Sequence, residues 1–188
     1  MNTEMNKPSV YGTMAAILTR LNSPQEQKNL TRDLAAIRNS TGRDYEEASE
    51  VWPILFPFIP QEYLGNGALT YEEKALLIAL QLYAIGQQGS AKMTSDDSSS
   101  FGTSLHRIRD KEDSTAMDRR FNTMLTSATV DEFAYHLRQL FKLGKSKNSF
   151  SVNFPKLADD LFWYQNGRSK QICLKWARDY YRFDPKQE

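Results

Sequence analysis

The chain has 188 residues, 40% of them hydrophobic and 12% aromatic, enough to bury the core of one domain or two small ones and to exclude wholesale disorder. A formal net charge of +1 hides an asymmetry: residues 1–100 carry 8 basic and 12 acidic side chains, and residues 101–188 carry 16 and 11. The single cysteine, Cys173, excludes an internal disulfide and a structural zinc site of the usual Cys and His ligands.

From the N-terminus, Met1–Ser9 is polar and lacks the apolar stretch of a signal peptide. The first helix is expected over Val10–Leu21, with Ser9 as its N-cap, and the second from Ser23-Pro24, turning Leu30, Leu34 and Ile37 inward. Tyr45–Phe56 reads as a short helix interrupted at Pro53, and Pro57 and Pro60 force an irregular, aromatic-rich connection. Thr70-Tyr71-Glu72-Glu73 fits a capping box, in which Thr caps the backbone and Glu reaches back to it. The helix that follows is apolar nearly all round and marks the central core element. Its apolar run, Ala75–Ile85, is far shorter than the roughly 20 residues of a membrane span. The expectation is a soluble, cytoplasmic protein with no membrane partner.

Gly89–Ser104 contains six serines, two aspartates, two threonines and two glycines, with Lys92 its only base. Such a stretch cannot bury enough apolar surface to order itself and reads as a mobile polar loop. The expected organisation is all-α: an N-terminal helical subdomain over 1–88, a polar loop over 89–104 and a basic helical subdomain over 105–188. In the last part, Thr115–Thr126 places Met117, Phe121, Met124 and Leu125 on one side and Arg119 nearly opposite. Thr129-Val130-Asp131-Glu132 is a second capping box, opening a helix with Val130, Phe133, Leu137, Leu140 and Phe141 inward and Tyr135, Arg138 and Lys142 outward. Asn153-Phe154-Pro155 opens a helix through Trp163, which Asn166-Gly167 stops. The last helix turns Ile172, Cys173, Trp176 and Tyr180 inward and leaves a stripe of Arg168, Gln171, Lys175, Arg178 and Arg182; Trp163 and Trp176 are both expected in the core.

Enzyme signatures are missing: there is no Walker A loop, GxGxxG, GxSxG or HExxH. His106 and His136 are far apart, without ligand-like neighbours, and read as surface or hydrogen-bonded histidines. Asp159 and Asp160 diverge by about 100° on a helix and do not make a catalytic pair by themselves. Cys173 reads as packing. No cofactor and no metal site is expected. The positive signal is the basic stripes, because an extended nucleic acid is held by repeated, sequence-independent cationic contacts to its phosphates. Tyr135 could stack on a base. A solvated helix face is the alternative; periodicity alone slightly favours it, and composition does not settle the choice.

The order of motifs resembles the CasB family, the small subunit of the type I-E CRISPR surveillance complex called Cascade. The resemblance lies in Gly102-Thr103-Ser104-Leu105-His106-Arg107-Ile108, Asp118-Arg119-Arg120-Phe121, Leu137-Arg138-Gln139-Leu140, the run from Asn153 to Trp163, and Trp176-Ala177-Arg178-Asp179-Tyr180-Tyr181. It covers roughly residues 102 to 182. Two departures stand out: His106 replaces the usual Gly before the Arg, and Asn153-Phe154 replaces a common Asp-Trp.

The resemblance implies an all-helical, non-catalytic subunit, present with a second copy of itself and seated along the backbone and large subunits of Cascade. It implies contact with target DNA, and leaves room for contact with the guide RNA, through a basic surface that stabilises the opened DNA. Base pairing by the guide reads the sequence, so such a subunit needs only charge and shape. Carried over by motif, the nucleic-acid-binding residues are Arg107, Arg119, Arg120 and Arg138. The helical-face argument adds Lys142, Lys145, Arg168 and Lys175. The rival readings are a protein-interaction scaffold whose basic face meets acidic partners, and a metal-dependent nuclease using Asp159 or Asp160.

Overall fold

The structure, a computed structural model, describes residues 8–43, 47–88, 100–110, 113–147 and 150–182. These form helices α1 (Val10–Leu21), α2 (Gln27–Asn39), α3 (Trp52–Leu55), α4 (Tyr71–Gly86), α5 (Phe101–His106), α6 (Thr115–Leu125), α7 (Val130–Lys145), α8 (Phe154–Trp163) and α9 (Ser169–Tyr181). Two 3-10 turns, Phe56–Phe58 and Gln61–Tyr63, follow α3, and a π turn, Tyr164–Arg168, precedes α9. No described residue lies in a strand, in keeping with the all-α expectation.

Helix starts follow local chemistry. Ser9 Oγ accepts from the Gly12 N–H at 3.0 Å, which satisfies one of the donors that a helix start leaves without an intrahelical partner. In the first capping box, Thr70 Oγ1 accepts from the Glu73 N–H at 3.2 Å and Glu73 Oε2 accepts from the Thr70 N–H at 2.7 Å. In the second, Thr129 Oγ1 accepts from the Glu132 N–H at 3.1 Å. There Glu132 Oε2 reaches one residue further back, to the Ala128 N–H at 2.8 Å.

Three local expectations are corrected. α2 begins at Gln27, because Ser23–Glu26 closes a turn of its own, the Glu26 N–H donating to the Ser23 carbonyl at 3.1 Å. The helix expected over Tyr45–Phe56 reduces to α3; residues 44–46 lie outside the described residues, and Pro53 sits in the first turn, where its missing N–H has no intrahelical partner to lose. Pro53 therefore opens this helix and does not interrupt it. The polar loop over 89–104 falls outside the described residues as far as 99, but Ser100 is the N-cap and residues 101–104 the first turn of α5. Ser100 Oγ caps α5 through the Thr103 N–H at 3.2 Å and also hydrogen-bonds Asp179, while Phe101 and Ser104 are buried. One large aromatic and a cap overcame the polar composition.

The described residues form two compact units. The first holds α1 to α3, α4 as far as Ala84, and Phe154–Phe162 of α8. Its core is aliphatic: Met14, Ile17, Ile37, Val51, Leu55 and the whole run from Ala75 to Leu82 apart from Gln81. Gln81 is buried too, and donates from Nε2 to the Ser40 hydroxyl at 2.9 Å and to the Ser40 carbonyl at 3.2 Å. The same unit takes in α8, outside the 105–188 subdomain expected from sequence. The reason is its apolar face, on which Phe154 meets Tyr83 of α4 edge-on at 5.3 Å.

The second unit spans Ile85–Asn153 and the residues from Trp163 on, and its core is aromatic. Trp176 is fully buried, with ring centroids 5.2 Å from Phe101 and 5.6 Å from Phe133. Phe121 lies 4.1 Å from Tyr180, and Phe133 stacks at 4.1 Å on Tyr164. Burial of Phe121, Phe133, Leu137, Leu140 and Phe141 fixes which faces of α6 and α7 are left outward.

Candidate nucleic-acid interface

On α6, Phe121 and Met124 point inward and Arg119 points away from them; Arg120, one residue on, is turned by about 100°. Both arginines are exposed, and neither makes an ion pair with a described residue. Arg120 lines a hollow of about 230 Å³ together with Asp110, Asp113 and Lys147, over a floor that includes Met117 and Leu143. Its surroundings are thus of mixed charge, whereas those of Arg119 are not shared with that hollow.

On α7, Tyr135 is 53% exposed and Lys142, seven residues later on the same face, is exposed as well. Arg138 differs from the expectation. It is half-buried, and its Nη1 is buried with no hydrogen-bond partner. Its position is about 60° from Tyr135 towards Ala134, at the edge of the buried face. Lys145 is engaged elsewhere: its ammonium donates to the carbonyls of Ile85 and Gln88, each at 2.5 Å. A cation on the last carbonyls of a helix is favourable on both hydrogen-bonding and dipole grounds, so Lys145 has a structural role as a C-terminal cap.

The remaining candidates lie on other elements. Arg107 follows α5, is exposed, and donates from Nη1 to Ser151 Oγ at 3.3 Å. Arg168 is exposed, with its guanidinium carbon 3.9 Å from the centroid of the Trp163 ring. Lys175 is half-buried on α9. Trp163, expected in the core, is only half-buried, and the turn after it lays Arg168 over its ring. Trp176 is in the core as expected. Cys173 is half-buried, and burial pushes its thiol pKa up, which suits packing and not nucleophilic chemistry.

One arginine escaped the sequence reading. Arg109 grips Asp118 with two bonds, Nε to Oδ1 at 2.9 Å and Nη2 to Oδ2 at 2.8 Å. The Tyr180 hydroxyl donates to Asp118 Oδ1 at 2.6 Å and Ser114 Oγ to Oδ2 at 3.0 Å. The Arg109 guanidinium also lies 5.5 Å from the ring centroids of both Tyr180 and Tyr181. Hydrogen bonding from Arg109 is the largest of the influences that lower the Asp118 pKa, to about 2. Burial and then the bond to Asp118 push the Tyr180 hydroxyl well above its ordinary value. The acid beside Arg119 and Arg120 is therefore spent inside the unit and does not neutralise them.

The family model described as CRISPR-associated protein Cse2 matches residues 33–181. The chain belongs to that family. The structure is similar to a Cse2-family CRISPR-associated protein from Thermus thermophilus, with a TM-score of 0.71 and 25% identity over 93% of this chain and 99% of that one. It is also similar in fold to CasB from Thermobifida fusca, with a TM-score of 0.67, 21% identity, and 92% and 95% of the two chains covered. A chain of a CRISPR RNA-guided surveillance complex matches with a TM-score of 0.69 at 16% identity, over 92% and 94% of the two chains. No curated protein matches the sequence.

Family membership agrees with the motif resemblance, and the structure explains two of its residues. A Cβ on Gly102 would sit 2.3 Å from the Trp176 carbonyl oxygen, so glycine is what lets α5 approach the α9 backbone. His106, the departure from the motif, has Nδ1 2.9 Å from the Tyr180 carbonyl near the end of α9. With the proton on that nitrogen it donates to a carbonyl at the helix end, a bond that Gly could not supply.

Proposed function

We propose that the chain is a non-catalytic, nucleic-acid-binding subunit of the CRISPR Cascade complex, supporting guide-directed capture of target DNA and stabilising the opened strand. The partners are the backbone and large subunits, a second copy of the chain and the target DNA, with room for contact to the guide RNA; the site of action is the cytoplasm. The observation that carries this reading is the set of outward cations without acidic partners among the described residues: Arg119 on α6, Lys142 on α7 beside exposed Tyr135, and Arg168 at the start of α9. Phosphates need such uncompensated charge and no base-reading geometry. The Cse2 family match and the likeness to a surveillance-complex chain support the assembly part of the reading. Arg107 belongs to the proposed set as an exposed cation that also bonds Ser151, Lys175 and Arg138 as half-buried members, and Lys145 only through its helix cap.

A second reading is favoured by one observation: Arg120 shares its hollow with Asp110 and Asp113 over an apolar floor, a mixture that suits a protein partner better than a phosphate chain. The test is reconstitution of the surveillance complex with native subunit or with Arg119, Lys142 and Arg168 changed to Ala. Guide-RNA retention should survive and capture of the opened target should weaken. Loss of assembly with undiminished DNA capture by the complexes that do form would favour the protein-docking reading instead.

A further inference from the structure

We infer that Trp163 is a positioning residue for Arg168, holding its guanidinium against the indole so that its free N–H donors take the oxygens of a phosphodiester; the inference rests on the nucleic-acid reading above. Between α8 and α9 the chain leaves helical geometry at Asn166 (φ −88°, ψ 49°) and Gly167 (φ +78°). A positive φ is costly for a residue with a Cβ, so Gly167 is what makes this turn inexpensive. The turn returns Arg168 over the residue five positions earlier, and its guanidinium carbon comes to 3.9 Å from the Trp163 ring centroid. Tyr164, next to Trp163, is buried and stacked on Phe133, which anchors the turn on the core of its unit.

With its central carbon 3.9 Å from the indole centroid, the guanidinium is in cation–π contact with the ring. The N–H donors turned away from the ring can pair with two oxygens of one phosphate. Arg168 is exposed and donates to no acceptor among the described residues, so those donors are available. An unstacked arginine would have to be ordered on binding, and ordering a long side chain costs rotamer entropy. The stack removes part of that cost before the strand arrives. Trp163 therefore contributes to binding without touching the ligand.

The test is a double-mutant cycle on the full chain, read by fluorescence anisotropy of a labelled oligodeoxythymidine strand and of an abasic strand of equal length. Trp163→Leu should weaken binding by about two- to fivefold, the factor that an exposed cation–π contact corresponds to. Trp163→Leu combined with Arg168→Ala should bind no more weakly than Arg168→Ala alone, and Trp163→Phe should retain most of the native affinity. Both strands should respond alike. Multiplicative losses in the double variant would overturn the positioning role. An effect confined to the strand that carries bases would overturn it too, by making the indole itself a stacking platform. Should Trp163→Leu lose helix content, the cycle runs with Trp163→Met, which removes the ring but keeps an apolar side chain, and additivity with Arg168→Ala again overturns the inference. A native chain that binds neither strand at low salt removes the nucleic-acid reading, and this inference with it. A native chain that binds, with an additive cycle, removes only the role of Trp163.

Discussion

The two units treat their arginines in opposite ways. In the first, Arg20 pairs with Glu26 at 3.3 Å, Arg32 with Asp33 at 3.1 Å and Arg43 with Glu50 at 2.6 Å, while Arg38 donates to the Ala84 carbonyl at 3.4 Å. In the second, Arg109 pairs with Asp118, but Arg119, Arg120, Arg168 and Arg178 make no ion pair with a described residue. A net charge near zero therefore says little about this protein. What distinguishes the units is whether the positive charge is already answered within the fold, and in the second much of it is not.

The comparison also separates stability from surface charge, and the largest expected effect tests that separation. Trp176→Ala removes the fully buried centre of the aromatic core and should cost about 3–5 kcal/mol in denaturant unfolding. A loss under about 1 kcal/mol would mean that the second unit is held by something other than this core. Gly102→Ala should come next, at about 1–3 kcal/mol, since the new methyl meets the Trp176 backbone and not a side-chain tip that could swing away. Unchanged melting would mean that α5 and α9 are not pressed together as described.

The Asp118 network gives a smaller effect with a definite pH signature. Its carboxyl pKa is lowered to about 2 in the folded state, so the stability it contributes is complete above about pH 4 and is lost as pH falls through 2. The loss should amount to no more than about 2 kcal/mol, and Asp118→Asn should remove this part of the acid sensitivity. An identical acid profile in that variant would show that the carboxylate is not the group responsible. Smallest of all should be the pairs of the first unit. Glu50→Gln should change stability by less than about 1 kcal/mol, because exposed ion pairs exchange Coulomb attraction for side-chain ordering and are screened. A larger loss would mean that charge pairing holds the first unit more firmly than its aliphatic core suggests.

What was legible in the sequence was local. Ser9, Thr70 with Glu73, and Thr129 with Glu132 act across three residues, so their caps could be read from spacing, and α4 was evident because nearly every face of it is apolar. The partners of Arg109 could not be read this way: Asp118 lies nine residues on, and the Tyr180 hydroxyl reaches that same carboxylate from 62 residues away. Periodicity placed Trp163 in the core because it knows only the helix that carries the residue, not the turn that lays Arg168 over it. Composition misread Ser100–Ser104, where Phe101 anchors a chain that is otherwise polar. The basic candidates were found by type and spacing; their availability depends on which acids fold against them, and that is a tertiary property.

The central claim, that unanswered charge in the second unit binds nucleic acid, is tested most directly by the salt dependence of single-stranded DNA binding in three full-length chains. These are the native chain, a variant with Arg119, Arg120 and Lys142 changed to Ala, and a variant with Arg20, Arg32 and Arg43 changed to Ala. The second-unit variant should keep its helix content and melting temperature, bind more weakly, and lose about 0.7 from the slope of log affinity against log salt for each phosphate contact removed. The first-unit variant should keep the native slope. Equal losses in both variants, or a destabilised second-unit variant with an unchanged slope, would contradict the account.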